Sequence, residues 1–178
     1  MIEEFKNLEI DDVISFNDNH IIDFIESDDL MVNGIKIYSN DDAEMVIVEL
    51  NDFFLVVHNF ESEEKFFIYQ MIDEGNTNEL ENNGYKFLNE EDDFRHKIVV
   101  KEDNKSYTYH PSDTGCVYGL TKEEIDIYSE NPQEVSICEF FSASARLSNI
   151  LIEREDNIAY IMQGFEITED SFNIIKSE

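Results

Sequence analysis

The acidic side chains between Glu79 and Glu90 come closest to a spacing that could do chemistry. In the stretch ELENNGYKFLNE, carboxylate or amide oxygens stand at loop positions 1, 3, 5 and 12, and a glycine stands at position 6. Calcium-binding loops use this spacing to surround the ion with oxygen ligands. Their first position is Asp, however, and Lys86 falls inside this stretch. We therefore predict a polar hairpin loop in which Gly84 supplies a positive φ, and no metal site.

The histidines do not have the spacing of a zinc site. The chain has four of them: His20, His58, His96 and His110. None has a second histidine or a cysteine at the close spacing that zinc ligands show. His58 lies inside an apolar run and is interpreted as a hydrogen-bonded histidine on an edge strand.

The cysteines indicate a reducing compartment. Cys116 and Cys138 have no CxxC spacing, and two cysteines are too few for a disulfide framework, so we expect a pair of thiols. Cys138 stands in a strand-like run and is interpreted as a small core residue. The first residues contain no signal-peptide pattern, and no apolar run approaches the roughly 20 residues of a membrane span. The expected location is the cytoplasm.

Signatures of catalysis are missing from the sequence. No GxSxG, GxGxxG or GxxxxGK[ST] motif occurs, and the segment TGCVYG at 114–119 is interpreted as a turn-rich loop. Pairs of carboxylates are expected by chance among 42 acidic residues, so they do not identify a glycosidase. We expect a protein that is not an enzyme and that binds no cofactor or metal.

Charge is the most unusual property of the chain. Forty-two acidic residues face 12 Lys and Arg, which gives a formal net charge of −30. Small domains typically carry a net charge of about 2 to 8 in magnitude, because like charges repel one another in a compact fold. Residues 1–94 have a net charge of −22 and residues 95–178 one of −8. Adaptation to salt predicts an even distribution, whereas this uneven one favours a functional face.

This charge disfavours direct binding of nucleic acid and of anionic membranes, because both are bound through Lys and Arg. It permits the inverse role, in which carboxylates imitate phosphates and occupy a basic groove. The run Glu90 to Asp93, inside LNEEDDFRHK, is interpreted as a loop at the edge of an acidic face. The predicted partner-binding residues are Asp28, Asp29, Asp41, Asp42, Glu44, Glu61, Glu63, Glu64, Glu79, Glu81, Glu90, Glu91, Asp92 and Asp93.

Short apolar runs bounded by polar turns predict a mainly β fold. The predicted strands are 13–16, 20–25, 35–38, 45–50, 53–58, 65–72, 97–101, 106–110, 135–141, 149–153 and 158–162. Residues 121–132 predict a helix, because Thr121 and Glu124 form a capping box and Pro132 follows. The two chain ends, 2–8 and 168–175, are expected to add a helical turn each. With its 42% hydrophobic content, the chain suits one domain over 1–178.

Two segments, 31–75 and 104–167, share an order of two strands followed by a hairpin with a charged turn. This order is compatible with a duplication and with strand periodicity alone. If it is a duplication, it predicts two antiparallel sheets packed or curled together as a barrel or sandwich, with one or two short helices. The runs FFLVVHNFESEEKFFIYQ and CEFF…NILIEREDNIAYIMQGFEI resemble the bacterial domain of unknown function 4178 family. That resemblance implies a β-rich domain and supplies no catalytic residue.

Two functions are favoured by these observations, and a third reading, a cryptic enzyme or calcium-binding protein, stays open. The first is an acidic binding protein that caps a basic surface, such as an inhibitor or immunity protein of a nucleic-acid enzyme. The second is an accessory protein-interaction module in which the acidity is incidental. They differ in the expected salt dependence of binding, which is strong for the first and weak for the second.

Overall fold

A computed structural model describes residues 1–87, 97–123 and 133–178. Within these residues there are 13 strands and three short α-helices, so the predicted mainly β class is confirmed. The strands form two antiparallel sheets, one of three strands and one of ten, and neither of these described sheets closes into a barrel. No helix in the described part of the chain has the length and apolar content of a membrane span.

The chain forms two compact units. Unit 1 contains residues 1–70, 120–133 and 166–178, and unit 2 contains residues 71–119 and 134–165. The elements of unit 1 are α1 (Ile2–Lys6), β1 (Val13–Phe16), α2 (Asn19–Ile25), β2 (Asp29–Met31), β3 (Gly34–Ser39), β4 (Ala43–Leu50), β5 (Phe53–Phe60) and β13 (Phe172–Ile175). A 3₁₀ turn, Glu169–Ser171, precedes β13. The strands β6 (Glu63–Gly75), β9 (Lys105–Glu123) and β12 (Ile158–Ile167) run from one unit into the other, and the first residue of β10 (Gln133–Phe141) also belongs to unit 1.

In unit 1, β3, β4, β5 and β6 pair in chain order as an antiparallel meander. The predicted strands 35–38, 45–50, 53–58 and 65–72 are confirmed, and each extends by one to three residues at one end or at both. The central residues of β4, β5 and β6 are buried on both sides, as their continuous apolar runs indicate. His58 is buried in β5, between β4 and β6, so its assignment to an edge strand was wrong.

One face of this meander is covered by α1 and by the three-stranded sheet β13-β1-β2. The ring of Phe172 lies 5.7 Å from the rings of both Phe5 and Phe66, and the ring of Phe16 lies 6.4 Å from that of Phe172. These four side chains are buried. Fully burying such a side chain contributes on the order of 2 kcal/mol, so this aromatic cluster helps to stabilise a strongly charged unit.

Residues 20–25 are a helix, so the strand predicted there was wrong. Asp18 is the N-cap of α2, and its side chain accepts hydrogen bonds from the backbone N–H groups of His20 and Ile21. Ile21 and Ile25, four residues apart, are the buried residues of the helix. A short apolar run fits both periods, and here the N-cap and the neighbouring core select the helical one.

The buried carboxylate of Asp12 connects the two ends of the chain. It accepts hydrogen bonds from Lys176 Nζ at 2.9 Å and from the backbone N–H groups of Glu9 and Ser177, both at 2.8 Å. Burial by itself raises the pKa of Asp12, but the hydrogen bonds and the charge of Lys176 outweigh burial and lower the pKa to about 2.

The elements that belong to unit 2 are α3 (Thr77–Asn82), β7 (Tyr85–Phe87), β8 (Ile98–Glu102), β10 (Gln133–Phe141) and β11 (Asn149–Glu155). β7, β8 and β9 pair in this order, and β10, β11 and β12 follow by way of a pairing between β9 and β10. Side chains from both groups of strands and from α3 form one core. Its buried residues are Leu80, Tyr85, Ile98, Val100, Tyr109, Cys138, Phe140, Ile150, Ile152, Ala159 and Ile161.

A polar pair sits in this core. The hydroxyl of Tyr109 donates a hydrogen bond to the backbone oxygen of Leu147 at 2.7 Å, and Gln163 Nε2 lies 3.4 Å from the same hydroxyl. Tyr109 and Gln163 are both buried. Burial raises the pKa of Tyr109, and the hydrogen bond from Gln163 lowers it. Burial has the larger effect, so the pKa rises to about 12. The tyrosine is therefore neutral at physiological pH and remains a hydrogen-bond donor.

Three further predictions in this region were wrong. Residues 121–123 belong to β9, so the helix predicted from Thr121 does not begin there, and residues 124–132 lie outside the described residues. Residues 114–119, expected as a loop, also belong to β9, because this strand runs continuously to residue 123. Cys138 is buried as predicted, but it is disulfide-bonded, so the expected pair of thiols is wrong.

The two segments with a similar strand order have a similar topology. Residues 31–75 contain β3 to β6, and residues 104–167 contain β9 to β12. In each segment the four strands pair with their neighbours in chain order. The duplication remains a prediction, because consecutive pairing is also the commonest arrangement of antiparallel strands.

We expect Asp12→Asn to lower the free energy of unfolding by about 1–2 kcal/mol at pH 7. The pKa of Asp12 is lower in the folded chain than its ordinary value of 3.8. Its stabilising effect is therefore fully present above about pH 5 and is lost as the pH falls toward 2. Urea denaturation at pH 7 and pH 3 measures this, with the exposed neighbour substitution Asp11→Asn as the control. If Asp12→Asn lowered the free energy of unfolding equally at pH 7 and at pH 3, the charge of Asp12 would not explain its stabilising effect.

We expect Tyr109→Phe to lower the free energy of unfolding by about 1–2 kcal/mol, because a buried carbonyl and a buried amide lose a partner. Tyr107→Phe is the matched control, since Tyr107 packs against the same core and is only partly buried. Thermal and urea denaturation followed by circular dichroism compare the two variants. Equal stability of both would show that the Tyr109 hydroxyl is not needed in the core.

Candidate acidic interface

Two acidic turns lie at the same end of the meander in unit 1. One turn, 40–42, joins β3 to β4, and the other, 61–62, joins β5 to β6. Alternate turns of an antiparallel meander share an end, and turn 51–52 between β4 and β5 lies at the opposite one. We call the carboxylates of the two turns and adjoining strand residues the acidic end: Asp41, Asp42, Glu44, Glu61, Glu63 and Glu64. The fold thus brings together two clusters that the sequence predicted separately.

Local hydrogen bonds and backbone angles fix both turns. Asn40 Oδ1 accepts hydrogen bonds from the backbone N–H groups of Asp42 and Ala43, at 2.9 and 2.8 Å. Glu61 and Ser62 have φ values of 51° and 69°, as the two central residues of a tight hairpin require. Asn-Gly is favoured in such a turn, so the chain keeps a charged residue here against the local backbone preference.

Two of the six carboxylates are held by the beginning of the chain. Glu44 pairs with Lys6 Nζ at 2.7 Å, and Lys6 also pairs with Glu3 at 2.7 Å. Partial burial lowers the pKa of Lys6, but its hydrogen bonds with these two glutamates raise it overall. Glu64 accepts hydrogen bonds from the backbone nitrogens of Met1 and Ile2, at 3.3 and 2.9 Å. α1 is therefore attached to the acidic end by charge.

The other four carboxylates face solvent. Asp41, Asp42, Glu61 and Glu63 are exposed. In the described part of the chain, no Lys, Arg or His lies within ion-pair distance of any of them. The charge at this end is therefore only partly neutralised from within the described residues, and it is displayed outward.

An acidic groove opens in the same unit. It has a volume of about 670 Å³ and combines three carboxylates with apolar side chains. It is lined by Met1, Glu4, Thr168, Glu169, Asp170, Phe172, Asn173 and Ile174. Because Met1 bonds to Glu64, one side of the groove adjoins the acidic end. The combination suits a side chain with an aliphatic stem and a cationic head.

The remaining predicted residues are not part of the acidic end. Asp28 and Asp29 are exposed at the start of β2, in the three-stranded sheet of unit 1. Glu79 and Glu81 are exposed on α3, in unit 2, where Glu79 also closes a capping box with Asn76. The run Glu90 to Asp93 lies outside the described residues, so its assignment to an acidic face remains a prediction.

The stretch with calcium-loop spacing does not form a loop along its length. Residues 79–82 belong to α3, and Lys86 belongs to β7. Gly84 has a φ of 100°, which confirms the predicted positive φ, but the predicted hairpin loop was wrong because the capping box of Asn76 and Glu79 starts a helix. Among the described residues, no three metal-binding side chains converge on one point.

The uneven charge along the sequence becomes uneven charge between the two units. Unit 1 carries 26 acidic and five basic residues, a formal net charge of −21 over 97 residues. Unit 2 carries 16 acidic and seven basic residues, a net charge of −9 over 81 residues. The charge per residue is about twice as high in unit 1, the unit that contains the acidic end and the groove.

Sequence reasoning missed the contributions of Glu3, Glu4, Glu169 and Asp170. They are isolated pairs near the two ends of the sequence, and only the folding of α1 against the meander and the position of β13 bring them to this part of unit 1. Acidic residues also occur in the interior of unit 2, where Glu139 and Glu153 are buried on the neighbouring strands β10 and β11.

No protein-family model, curated protein or solved structure matches the chain. The resemblance to the domain of unknown function 4178 family therefore remains a prediction.

We expect Ser62→Gly to raise the free energy of unfolding by about 0.5–1 kcal/mol, because glycine adopts a positive φ without steric cost. Ser39→Gly, on the exposed end of β3, is the control, and it should destabilise, since glycine weakens an ordinary strand position. Urea denaturation shows whether each substitution raises or lowers the free energy of unfolding. A loss of stability in Ser62→Gly would refute the strained-turn description.

Proposed function

We propose that the protein is a non-enzymatic binding protein whose unit 1 caps a basic protein surface, as an inhibitor or immunity protein of a nucleic-acid enzyme does. The observation that carries the proposal is the convergence of two acidic turns at one end of a rigid meander, with four exposed carboxylates. A surface of this kind meets Lys and Arg side chains with matched charge, and such matching provides specificity and fast association.

The spacing of these charges supports imitation of nucleic acid. Strands in a sheet lie about 4.8 Å apart, so the ends of four strands span roughly 14 Å. Four exposed carboxylates over this width leave three intervals between them, a mean spacing of roughly 5 Å. One strand of B-DNA carries one phosphate per ~3.4 Å of helix axis. A groove that binds a phosphate backbone would therefore meet negative charge at a density of the same order.

The anchoring of the acidic end supports binding without rearrangement. Asn40 fixes one turn, and the hairpin pairing of Phe60 with Glu63 fixes the other. The mutual repulsion of the carboxylates costs free energy when the protein folds. A cationic partner relieves that repulsion on binding. The acidic end is in this respect preorganised for a cationic partner.

The partner would be a basic protein, and neither nucleic acid nor a membrane would bind directly. The cytoplasmic location expected from the sequence stays a prediction. The disulfide bond of Cys138 counts against one of its arguments, because disulfides persist mainly in oxidising compartments.

The proposal is tested by neutralising the four exposed carboxylates in the variant D41N/D42N/E61Q/E63Q. Its matched control, E102Q/D103N/E155Q/D156N, removes four acidic charges from two hairpin ends of unit 2 and has the same net charge of −26. A fluorescent deca-arginine peptide is the probe, titrated from low to physiological salt. We expect the first variant to bind about tenfold more weakly at low salt, with a smaller salt dependence.

The control variant should bind the deca-arginine peptide about twofold more weakly than the wild-type chain, since it changes only the overall electrostatic field of the protein. Equal losses in the two variants would contradict a localised interface and would favour the accessory module in which acidity is incidental. Circular dichroism of both variants establishes that they are folded before binding is compared.

A further inference from the structure

The outer face of the three-stranded sheet carries a row of exposed aliphatic side chains. Val13 of β1 is paired with Met31 of β2 on one side and with Ile175 of β13 on the other. Met31 is 48% exposed and Ile175 is 50% exposed, and Val13 between them is partly buried. Directly paired residues point to the same face of a sheet, so the three side chains form one apolar row about 10 Å long.

This row is not the surface that packs on the core. Ile14, Leu30 and Phe172 point to the opposite face, where they are buried. Ile10, in the turn before β1, is a further exposed aliphatic residue, at 44%. Single exposed aliphatic residues are common on proteins, whereas an aligned row across all three strands of a sheet offers a partner one continuous apolar contact.

Carboxylates border the row. Asp29 lies on the same outer face as Met31, two residues before it, and Asp28 precedes it. Asp11 is exposed beside the end of β2, because its backbone N–H bonds to the oxygen of Val32. The nearest cation in sequence, Lys176, is engaged by the buried carboxylate of Asp12. The surroundings of the row are therefore anionic.

We propose that this outer face is the docking surface for a basic segment of the protein partner, which places an apolar side chain on the row of Met31, Val13 and Ile175. Lys or Arg residues on either side of that apolar side chain then meet Asp11, Asp28 and Asp29. The inference rests on the proposed function and adds to it an apolar anchor, which fixes the partner's position where charge alone would not.

Charge complementarity selects this occupant. A second copy of the chain would bring its own Asp28 and Asp29 against the same carboxylates, and like charges that face one another across an interface are destabilising. An anionic lipid surface is repelled for the same reason. A segment with alternating basic and apolar residues satisfies both the apolar row and its acidic border.

Two octapeptides of equal charge test the inference: one alternates Lys and Leu, and the other alternates Lys and Ser. Isothermal titration against the full chain should give about tenfold tighter binding of the Lys-Leu peptide, because only that peptide covers the row. The double substitution M31S/I175S should remove this difference and leave the binding of the Lys-Ser peptide unchanged. D28N/D29N should weaken both peptides.

Ile72 and Ile158, exposed in unit 2 at 41% and 38%, provide the control variant I72S/I158S, which should keep the tenfold difference. A second measurement needs no substitution: the ¹³C-methyl resonance of Met31 should shift several times further with the Lys-Leu peptide than with the Lys-Ser peptide, because only the Lys-Leu peptide contacts the row.

Equal affinity of the two peptides for the wild-type chain, or an unshifted Met31 resonance, would overturn the inference. So would sedimentation data in which the wild-type chain self-associates and M31S/I175S does not, since the row would then bind a second copy. Binding of the Lys-Ser peptide and its dependence on Asp41 and Glu61 report separately on the proposed function.

Discussion

In an antiparallel meander, alternate turns lie at the same end of the sheet, and the charged surface of unit 1 depends on this constraint. The turns 40–42 and 61–62 are about 20 residues apart in the sequence, yet they are separated only by the width of two strands. Each turn alone is a solvated hairpin with two or three acids. Together they form a charged surface, because pairing of β4 with β5 brings Glu44 opposite Asn59, which in turn pairs with Glu64.

Repulsion between the carboxylates of this surface lowers the stability of unit 1, and other contacts in unit 1 offset that loss. Two carboxylates 5 Å apart in water repel by somewhat less than 1 kcal/mol, and more where water is partly excluded. Lys6 forms an ion pair with Glu44, and the backbone nitrogens of Met1 and Ile2 donate hydrogen bonds to Glu64. These two carboxylates are the members of the acidic end nearest the core. Beneath them, Phe5, Phe66 and Phe172 supply apolar burial. Charge is left uncompensated where solvent screens it best.

The three-stranded sheet has two different faces. Its inner face carries Ile14 and Leu30 and packs on the meander, whereas its outer face carries Val13, Met31 and Ile175. The period of two along a strand separates these sets, and pairing across strands aligns the outer set into a row. The carboxylate of Asp12 holds this sheet's C-terminal strand in register through Lys176 and Ser177.

The amino-acid sequence predicts the class of the fold, most of the strands and the excess of charge. Apolar runs such as 45–50 and 53–58 favoured strands, because their β-branched and aromatic residues and flanking turns fit a strand covered on both sides. Short or polar segments were misjudged. Residues 20–25 became a helix through the N-cap of Asp18, and residues 79–82 through that of Asn76. Local patterns of six residues do not distinguish these outcomes.

Which acids lie together follows from strand pairing in the folded chain. Asp41, Asp42, Glu61 and Glu63 were singled out as acidic clusters, but sequence spacing does not reveal which end of a sheet a turn occupies. The grouping of Glu3 with Lys6 and Glu44, the acidic groove, and the aligned row of Met31, Val13 and Ile175 all arise from pairing between distant segments. The net charge follows from the residue composition alone. The grouping of charges on one surface depends on strand register, and the burial of apolar side chains in the core sets that register.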